Sequence, residues 1–477
     1  MLKVKSILIV DLDKTLINTD MLHETFWSAL SKNWKLPIKI LTKFISGKAQ
    51  LKEYLYETSN VDHTSLPYND EVITYIKKFR SNGGRTALVT ASNHKIAEKI
   101  ASYLAIFDEF HGSNSNLNLK GRNKAEFLST RYGENFFDYI GDSYSDIAVW
   151  KSANKAITFN AGKRLKRVLE SINSNCEHLS SKRHPKTIYL RAIRSHQWVK
   201  NILVFLPMLL YLQLDLSSFI DSLIAFFAFS FVASSAYITN DLLDLDADRV
   251  HPRNKYRPFA SGVIPINQGA PIALSLFIIG FLSALFIEPL FLFVLIIYYV
   301  ATSAYSLYFK RRIIIDICIL AGLYTMRVLG GGFATNIEPS FWLLAFSIFI
   351  FFSLAAIKRQ AELVELRRKN KLTVTGRGYN VNDLPLLTMM SISAGFMAVL
   401  VMALYLNSPM VLGLYPTPSA LWGVCCILLY WISRITIITH RGEMLDDPIV
   451  FAVNDKVSQI CLIATLILIL VGATTWS

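Results

Sequence analysis

Cysteine is scarce in this 477-residue chain: Cys176, Cys318, Cys425, Cys426 and Cys461, with no CxxC and no paired metal spacing. That excludes a disulfide framework and a zinc site as organising devices. The start, MLKVKSILIVDLDKTL, has neither an apolar run of signal length nor a small-residue cleavage site, so export of the N-terminal part is not expected. Internal repeats and low-complexity tracts are also missing, which argues against a solenoid or a disordered chain.

What the chain does have is apolar surface, unevenly distributed. Hydrophobic residues make up 52% and the mean hydropathy is +0.36. Up to about residue 190 the apolar runs are short and charges frequent; beyond residue 200 long apolar segments alternate with short charged ones. The pattern predicts a soluble domain fused to an integral membrane domain. Nine apolar segments stand out, near 202–215, 217–239, 268–287, 289–308, 313–333, 340–357, 384–406, 418–438 and 456–476. Most have the roughly 20 residues a spanning helix needs. The first is short and contains Pro207.

Loop charge predicts the orientation. Arg249, Arg253, Lys255 and Arg257 follow the second segment, and Lys310, Arg311 and Arg312 the fourth. Lys358, Arg359, Arg367, Arg368, Lys369, Lys371 and Arg377 follow the sixth. The intervening loops FIEP, ATNIEPS and LNSPMVLGLYPTPS carry no Lys or Arg. The N-terminus and the charged loops are therefore expected on the cytoplasmic side of the cell membrane. The net charge of +14, placed in such loops, favours lipid headgroups and phosphorylated substrates over nucleic acid.

The stretch ITNDLLDLDADRVHPRNKYRPFASG, Ile238 to Gly262, sets Asp241, Asp244, Asp246 and Asp248 at the end of an apolar segment. A carboxylate costs roughly 2.5–3.5 kcal/mol at mid-helix on insertion scales, so something must offset the cluster. On one continuous helix Asn240, Asp244 and Asp248 fall at i, i+4 and i+8, beside Asp241, while Asp246 points elsewhere. Grouped oxygen ligands suit Mg²⁺ shared with substrate phosphates; the alternative is a solvated loop paired with the nearby arginines.

NDxxDxxxDR followed by HPxxKxxRPxxSG resembles the UbiA superfamily of intramembrane prenyltransferases, over roughly residues 190–477. The resemblance implies a bundle of about nine helices whose Asp-rich motif (Asp241, Asp244, Asp248) holds Mg²⁺ and a diphosphate. Members usually carry a second motif, DxxxD. Here Asp316 stands alone, and Arg327 lies eleven residues on, about three turns away on the same helix face. A cation inside a span is a functional candidate. RAIRSHQWVKN (with Lys200) and IKRQAEL (with Lys358) resemble the decaprenyl-phosphate phosphoribosyltransferase branch. That branch takes phosphoribosyl pyrophosphate as donor and a polyprenyl phosphate as acceptor. It implies Asp241, Asp244 and Asp316 in catalysis, and Lys200, Asn240, Arg249, Lys255, Arg257, Tyr305, Lys310, Arg327 and Lys358 on the substrates. Aromatic prenyl transfer, as for quinone or haem side chains, and a non-enzymatic carrier are the competing readings. A homo-oligomer is compatible with all three.

In the soluble half, SILIVDLDKTL is an apolar strand delivering Asp11 and Asp13; RTALVTAS ends near Thr90; GRNKAEFL offers Lys124; FDYIGDSYSD delivers Asp142 and Asp146. This order resembles the haloacid dehalogenase (HAD) superfamily, across roughly residues 1–170. It implies an α/β Rossmann-like fold with a helical cap inserted between Asp13 and Thr90. Asp11 would be the nucleophile and Asp13 the general acid/base; Thr90 and Lys124 would neutralise the phosphoryl group. Mg²⁺ would sit among Asp11, Asp13, Asp142 and Asp146. Lys14 stands where that family more often has Gly. SINSNCEHLSSKRHPKT reads as a linker over 171–190, ahead of a membrane domain over 191–477. Together these imply transfer of 5-phosphoribose to the lipid, then removal of the 5-phosphate by the HAD domain, for cell-envelope glycan synthesis.

Overall fold

The computed structural model describes residues 6–33, 35–37, 39–40, 48–114, 117–181, 185–370, 377–444 and 447–474; Lys371, one of the loop charges, lies outside them. The chain forms two compact units. One comprises Met1–Ile193 with Asp241–Ile272, the other Arg194–Asn240 with Ala273–Ser477. The Asp-rich segment thus folds with the N-terminal unit, a grouping that the spacing of motifs along the chain does not reveal.

The first unit is built on six parallel strands: β1 Ile7–Val10, β2 Arg85–Asn93, β3 Glu109–Ser113, β4 Phe137–Gly141, β5 Lys155–Phe159 and β6 Cys176–Leu179, in the order β3-β2-β1-β4-β5-β6. β1 is apolar throughout and buried along its whole length, as a parallel strand covered on both faces must be. Leu8 and Val10 pack into the core on one face, Ile7 and Ile9 into the core on the other. Because β2 and β4 flank β1, the chain leaves the central strand in opposite directions. The crevice at the strands' C-terminal ends is where such sheets bind ligands.

β6 lies inside the segment expected to be a linker. It is a polar edge strand: Ala156↔Cys176 through Phe159↔Leu179 continue the register of β5. Cys176 packs toward one core and Leu179 toward the other. Glu177 meets Lys155 at 2.6 Å and the Tyr75 hydroxyl at 3.0 Å. Edge position is why so few apolar residues were needed and why the pattern looks like a linker. Helices α1 (Met21–Lys32) and α2 (Lys48–Thr58) fall between Asp13 and Thr90 and share a small core of their own around Ala29, Leu36 and Leu55.

The second unit is a helical bundle. Among the described residues, seven helices are long and apolar enough to cross a membrane: Leu216–Leu243, Ile266–Ala284, Pro289–Leu307, Ile315–Ala334, Phe341–Arg368, Val381–Leu406 and Pro418–His440. The pair Pro448–Asn454 and Lys456–Gly472, bent by 86°, makes eight if counted as one span. This is a multi-pass membrane protein. The first of the nine expected segments is not among these helices. It is a 3₁₀ stretch, Ser195–Phe205, running into the five-residue helix Leu206–Leu210 with Pro207 in its first turn. The 3₁₀ stretch packs on a bundle helix where only glycine fits: a Cβ at Gly331 would stand 2.0 Å from the Val204 carbonyl oxygen.

Candidate active sites

At the C-terminal end of the sheet, β1 delivers Asp11 and Asp13 and β4 delivers Asp142. Carboxylate oxygens of Asp11, Asp142 and Asp146 all lie within 4.8 Å of one another. Asp11 accepts from Lys124 Nζ at 2.6 Å, and the same ammonium donates to the Tyr139 hydroxyl at 3.1 Å. Tyr139 donates to Asp146 Oδ1 at 2.8 Å, and Ser143 holds Asp146 Oδ2 through its amide and hydroxyl. Lysine, tyrosine and acids form one buried chain.

Asp13 is held separately. Its Oδ1 accepts from the Met21 amide and its Oδ2 from Ser92 Oγ, both at 2.7 Å, while the Ser92 amide donates to Thr90 Oγ1 at 3.0 Å. Thr90 and Asp13 therefore share a support, Ser92, that the motifs do not mention. Lys14 adopts φ 59°, the left-handed region that favours glycine. That is the physical reason for the glycine preference at this place, and Lys14 meets the same backbone demand.

Burial pushes the Asp11 carboxyl up to about 6 even though Lys124 opposes it. Burial, then Asp20 and Asp11, push Asp13 up to about 7. Asp142 reaches about 8, through burial and the adjacent Asp11 and Asp146. Asp11 and Asp142, which converge with Asp146, resist ionising together and so form a donor set short of positive charge, and hard oxygen ligands of this kind fit Mg²⁺. Lys52, on α2, reaches this rim too: its Nζ donates to the Ala91 carbonyl at 2.7 Å, between Thr90 and Ser92.

The Asp-rich segment departs from the continuous helix expected for it. The long helix ends at Leu243; Asp244 is non-helical (φ −98°, ψ 12°), and a short helix, Leu245–Val250, follows. Acids crowded on one face, with low helix propensity, favour such a break. Arg257 Nη1 lies 3.1 Å from Asp241 Oδ1 and 2.6 Å from Asp248 Oδ2, and Asn254 donates to Asp248 Oδ1 at 2.8 Å. Two carboxylates thus converge on one cationic nitrogen, an arrangement in which their oxygens fit a divalent ion once the guanidinium turns away. Burial pushes Asp248 up to about 6 against the pull of Arg257. Asp246 does point elsewhere, accepting from Ser28 at 2.8 Å. Arg249, expected on substrate, is buried in an ion pair with Glu24. Lys255 stacks its ammonium on Tyr256.

The second unit separates two residues read as one face. Asp316, 0% exposed, accepts from Arg359 Nε at 2.7 Å and from the Tyr379 hydroxyl at 2.5 Å. Arg359 also reaches Glu362 and the Tyr305 hydroxyl, and Arg377 joins the same group. Two acids and two arginines close on themselves. That placement suits a brace rather than a metal ligand or, for Tyr305, a substrate contact.

Arg327 instead donates to Asn201 Oδ1 at 2.7 Å, the Tyr298 hydroxyl at 2.8 Å and the Leu323 carbonyl at 2.5 Å. Its guanidinium stacks on Tyr324 at 5.2 Å, and Lys200 approaches the same ring at 5.6 Å. Lys200 and Lys358 both donate to Asp447 Oδ2, at 2.8 and 2.9 Å. Three cations and one carboxylate gather near Tyr324. Asp447 carries no sequence signal beyond a helix-capping Asp-Pro. Asn240 and Lys310 are partly exposed on the same unit.

A family model described as the UbiA prenyltransferase family matches residues 202–443. The chain belongs to this family. A UbiA protein can thus carry a parallel-sheet unit ahead of its bundle, and one relative shares nearly the whole chain. The uncharacterized protein y4nM of Sinorhizobium fredii is 36% identical over 94% of this chain and 88% of its own length. The decaprenyl-phosphate phosphoribosyltransferase of Mycobacterium tuberculosis is 35% identical over 36% of this chain and 59% of its own. A substrate-bound phosphoserine phosphatase structure aligns with 36% of this chain and 93% of that one, at 18% identity and a TM-score of 0.26.

Proposed function

We propose that this UbiA protein transfers 5-phosphoribose from phosphoribosyl pyrophosphate to a polyprenyl phosphate and then removes the 5-phosphate, yielding polyprenyl-phosphoryl ribose for envelope glycans. The observation that carries the reading is the surplus of positive charge at Lys200 and Arg327, both buried, and at the partly exposed Lys358, against the single carboxylate of Asp447. An apolar bundle tolerates such a surplus where an anion offsets it, and a lipid phosphate supplies one where an aromatic acceptor does not. The similarity to a decaprenyl-phosphate phosphoribosyltransferase points the same way.

In transfer, the C1–O bond to pyrophosphate breaks and a lipid phosphate oxygen bonds to C1. Asp241, Asp244 and Asp248 are the residues proposed to hold Mg²⁺ with the leaving diphosphate, Arg257 turning from the carboxylates to phosphate. In hydrolysis Asp11 attacks the 5-phosphorus, with Lys124 on one of its oxygens and the other left for attack. Asp13, protonated, gives its proton to the departing 5-oxygen and then takes one from the water that splits the aspartyl-phosphate. Asp11, Asp142 and Asp146 are the residues proposed to hold Mg²⁺ here, which when bound lowers the charge of the phosphoryl group. The Lys- and Arg-bearing loops support a cytoplasmic placement of both chemistries in the cell membrane. Covalent linkage on one side raises the effective concentration of the phosphatase toward the millimolar range.

The test incubates detergent-solubilised wild type and Asp11→Asn with both substrates and resolves the lipids by mass spectrometry. Wild type should yield the ribose lipid and the variant its 5-phosphate. No lipid product from either would sink the transfer, and a persisting 5-phosphate in wild type with Mg²⁺ would sink the coupling.

A further inference from the structure

One helix of the sheet unit touches both Asp13 and the Asp-rich segment. α1 begins at Met21, whose amide holds Asp13. A turn later Glu24 closes a two-pronged pair with Arg249, Nη1 to Oε2 at 2.9 Å and Nη2 to Oε1 at 2.5 Å. The two side chains are 1% and 2% exposed. Another turn on, Ser28 Oγ donates to Asp246 Oδ2 at 2.8 Å. Residues 21, 24 and 28 share a face of the helix, and Met21 and Ser28 are about 10 Å apart along its axis.

The grip extends through the Asp-rich segment. Arg249 Nε donates to the Ala260 carbonyl at 3.0 Å, which fixes the far limb of the loop that carries Arg257. Gly262 completes the contact: a Cβ there would meet Asn18 Cβ at 2.8 Å and Pro67 Cγ at 3.0 Å. Solvated ion pairs contribute little and hold no geometry. A buried, two-pronged carboxylate–guanidinium pair fixes direction as well as distance.

We infer that Glu24 is a positioning residue for the transferase: α1 of the sheet unit, through Glu24 on Arg249 and Ser28 on Asp246, steadies the segment that carries Asp241, Asp244 and Asp248, the acids proposed to receive a divalent cation and a diphosphate. The inference rests on the transfer reading above for the ligand's identity. It also links the chemistries. The proton-moving Asp13 sits at the start of the same helix that steadies the donor-binding acids.

The test uses the full chain in detergent, in an Asp11→Asn, Asp142→Asn background that silences the acids at the sheet's end. The readout is the rise in unfolding temperature on titrating Mg²⁺ with inorganic pyrophosphate. Glu24→Gln should raise the concentration giving half-protection about 10-fold, the low end of what loss of a supporting partner does to a metal site. Ser28→Ala should raise it less, and Glu24→Asp, which keeps the charge, should recover part of the loss. With Asp11 and Asp142 intact, Glu24→Gln should still hydrolyse p-nitrophenyl phosphate, showing a folded sheet unit. Should Glu24→Gln fail to fold, Arg249→Lys carries the same expectation. Unchanged half-protection, no protection in the parent, or equal loss of hydrolysis and protection would each overturn the inference. Absence of lipid product in wild type would instead sink only the transfer reading.

Discussion

Asp316 and Arg359 form an ion pair of 2.7 Å with side chains 0% and 1% exposed. The pair brings Tyr379, Tyr305, Glu362 and Arg377 into one closed network. Removing one partner strands the other in an apolar interior, a loss of about 3–5 kcal/mol. Asp316→Ala should therefore lower the unfolding temperature of the detergent-solubilised protein markedly. Asp316→Leu with Arg359→Met should recover much of it. A fully stable Asp316→Ala with transfer abolished would return Asp316 to the catalytic role expected of it.

The acids at the sheet's end make a pH prediction. Asp11 and Asp142 bind protons more tightly folded than unfolded, at about 6 and about 8 against about 3.9 for a free Asp. Their contribution to stability is thus greatest below pH 4 and is lost as pH rises toward 8. Mg²⁺ held by these acids would replace those protons, so thermal protection by Mg²⁺ should grow from pH 5.5 to pH 8, as read by scanning fluorimetry. Asp142→Asn should flatten that growth. Protection independent of pH in wild type would contradict the assignment.

Lys52 stands beside the end of β2 that carries Thr90 and Ser92, and burial pushes its ammonium down from its ordinary value. A second negative charge on the phosphatase substrate would be drawn to it. Lys52→Met should raise KM for ribose 1,5-bisphosphate by about 10-fold, the scale of a lost charge-assisted hydrogen bond, while leaving p-nitrophenyl phosphate nearly unaffected. Equal losses on both would make Lys52 a packing residue.

Arg327 uses three separate donors on three partners, a geometry that lysine cannot copy. Arg327→Lys should cut transfer by about 10²-fold, as for loss of an oriented charge stabiliser, with phosphatase activity on p-nitrophenyl phosphate retained. Lipid product formed at near wild-type rate would mark Arg327 as structural.

Residues that act through backbone placement were legible in the sequence. A β-branched strand ending in Asp11 and Asp13 can present them only at the sheet's C-terminal edge, and the adjacency of β1 and β4 brings Asp11 together with Asp142 and Asp146 there. Seven of the nine apolar segments fall on helices long and apolar enough to span, and an eighth falls on the bent pair, because hydrophobic length is written in the sequence; the first becomes a 3₁₀ stretch and a short helix, a local conformation that hydrophobicity does not encode. Side-chain partnership was decided by the tertiary structure. Asp316 and Arg327 share a helix, yet one is neutralised by Arg359 and Arg377 and the other is anchored on Asn201 and Tyr298. Asp447 meets lysines that lie 247 and 89 residues away in sequence, and Glu24 meets Arg249 across 225. Periodicity fixes which way a residue faces along its own element, whereas an ion pair depends on what another element brings to the same point. That second quantity appears only when the chain has folded.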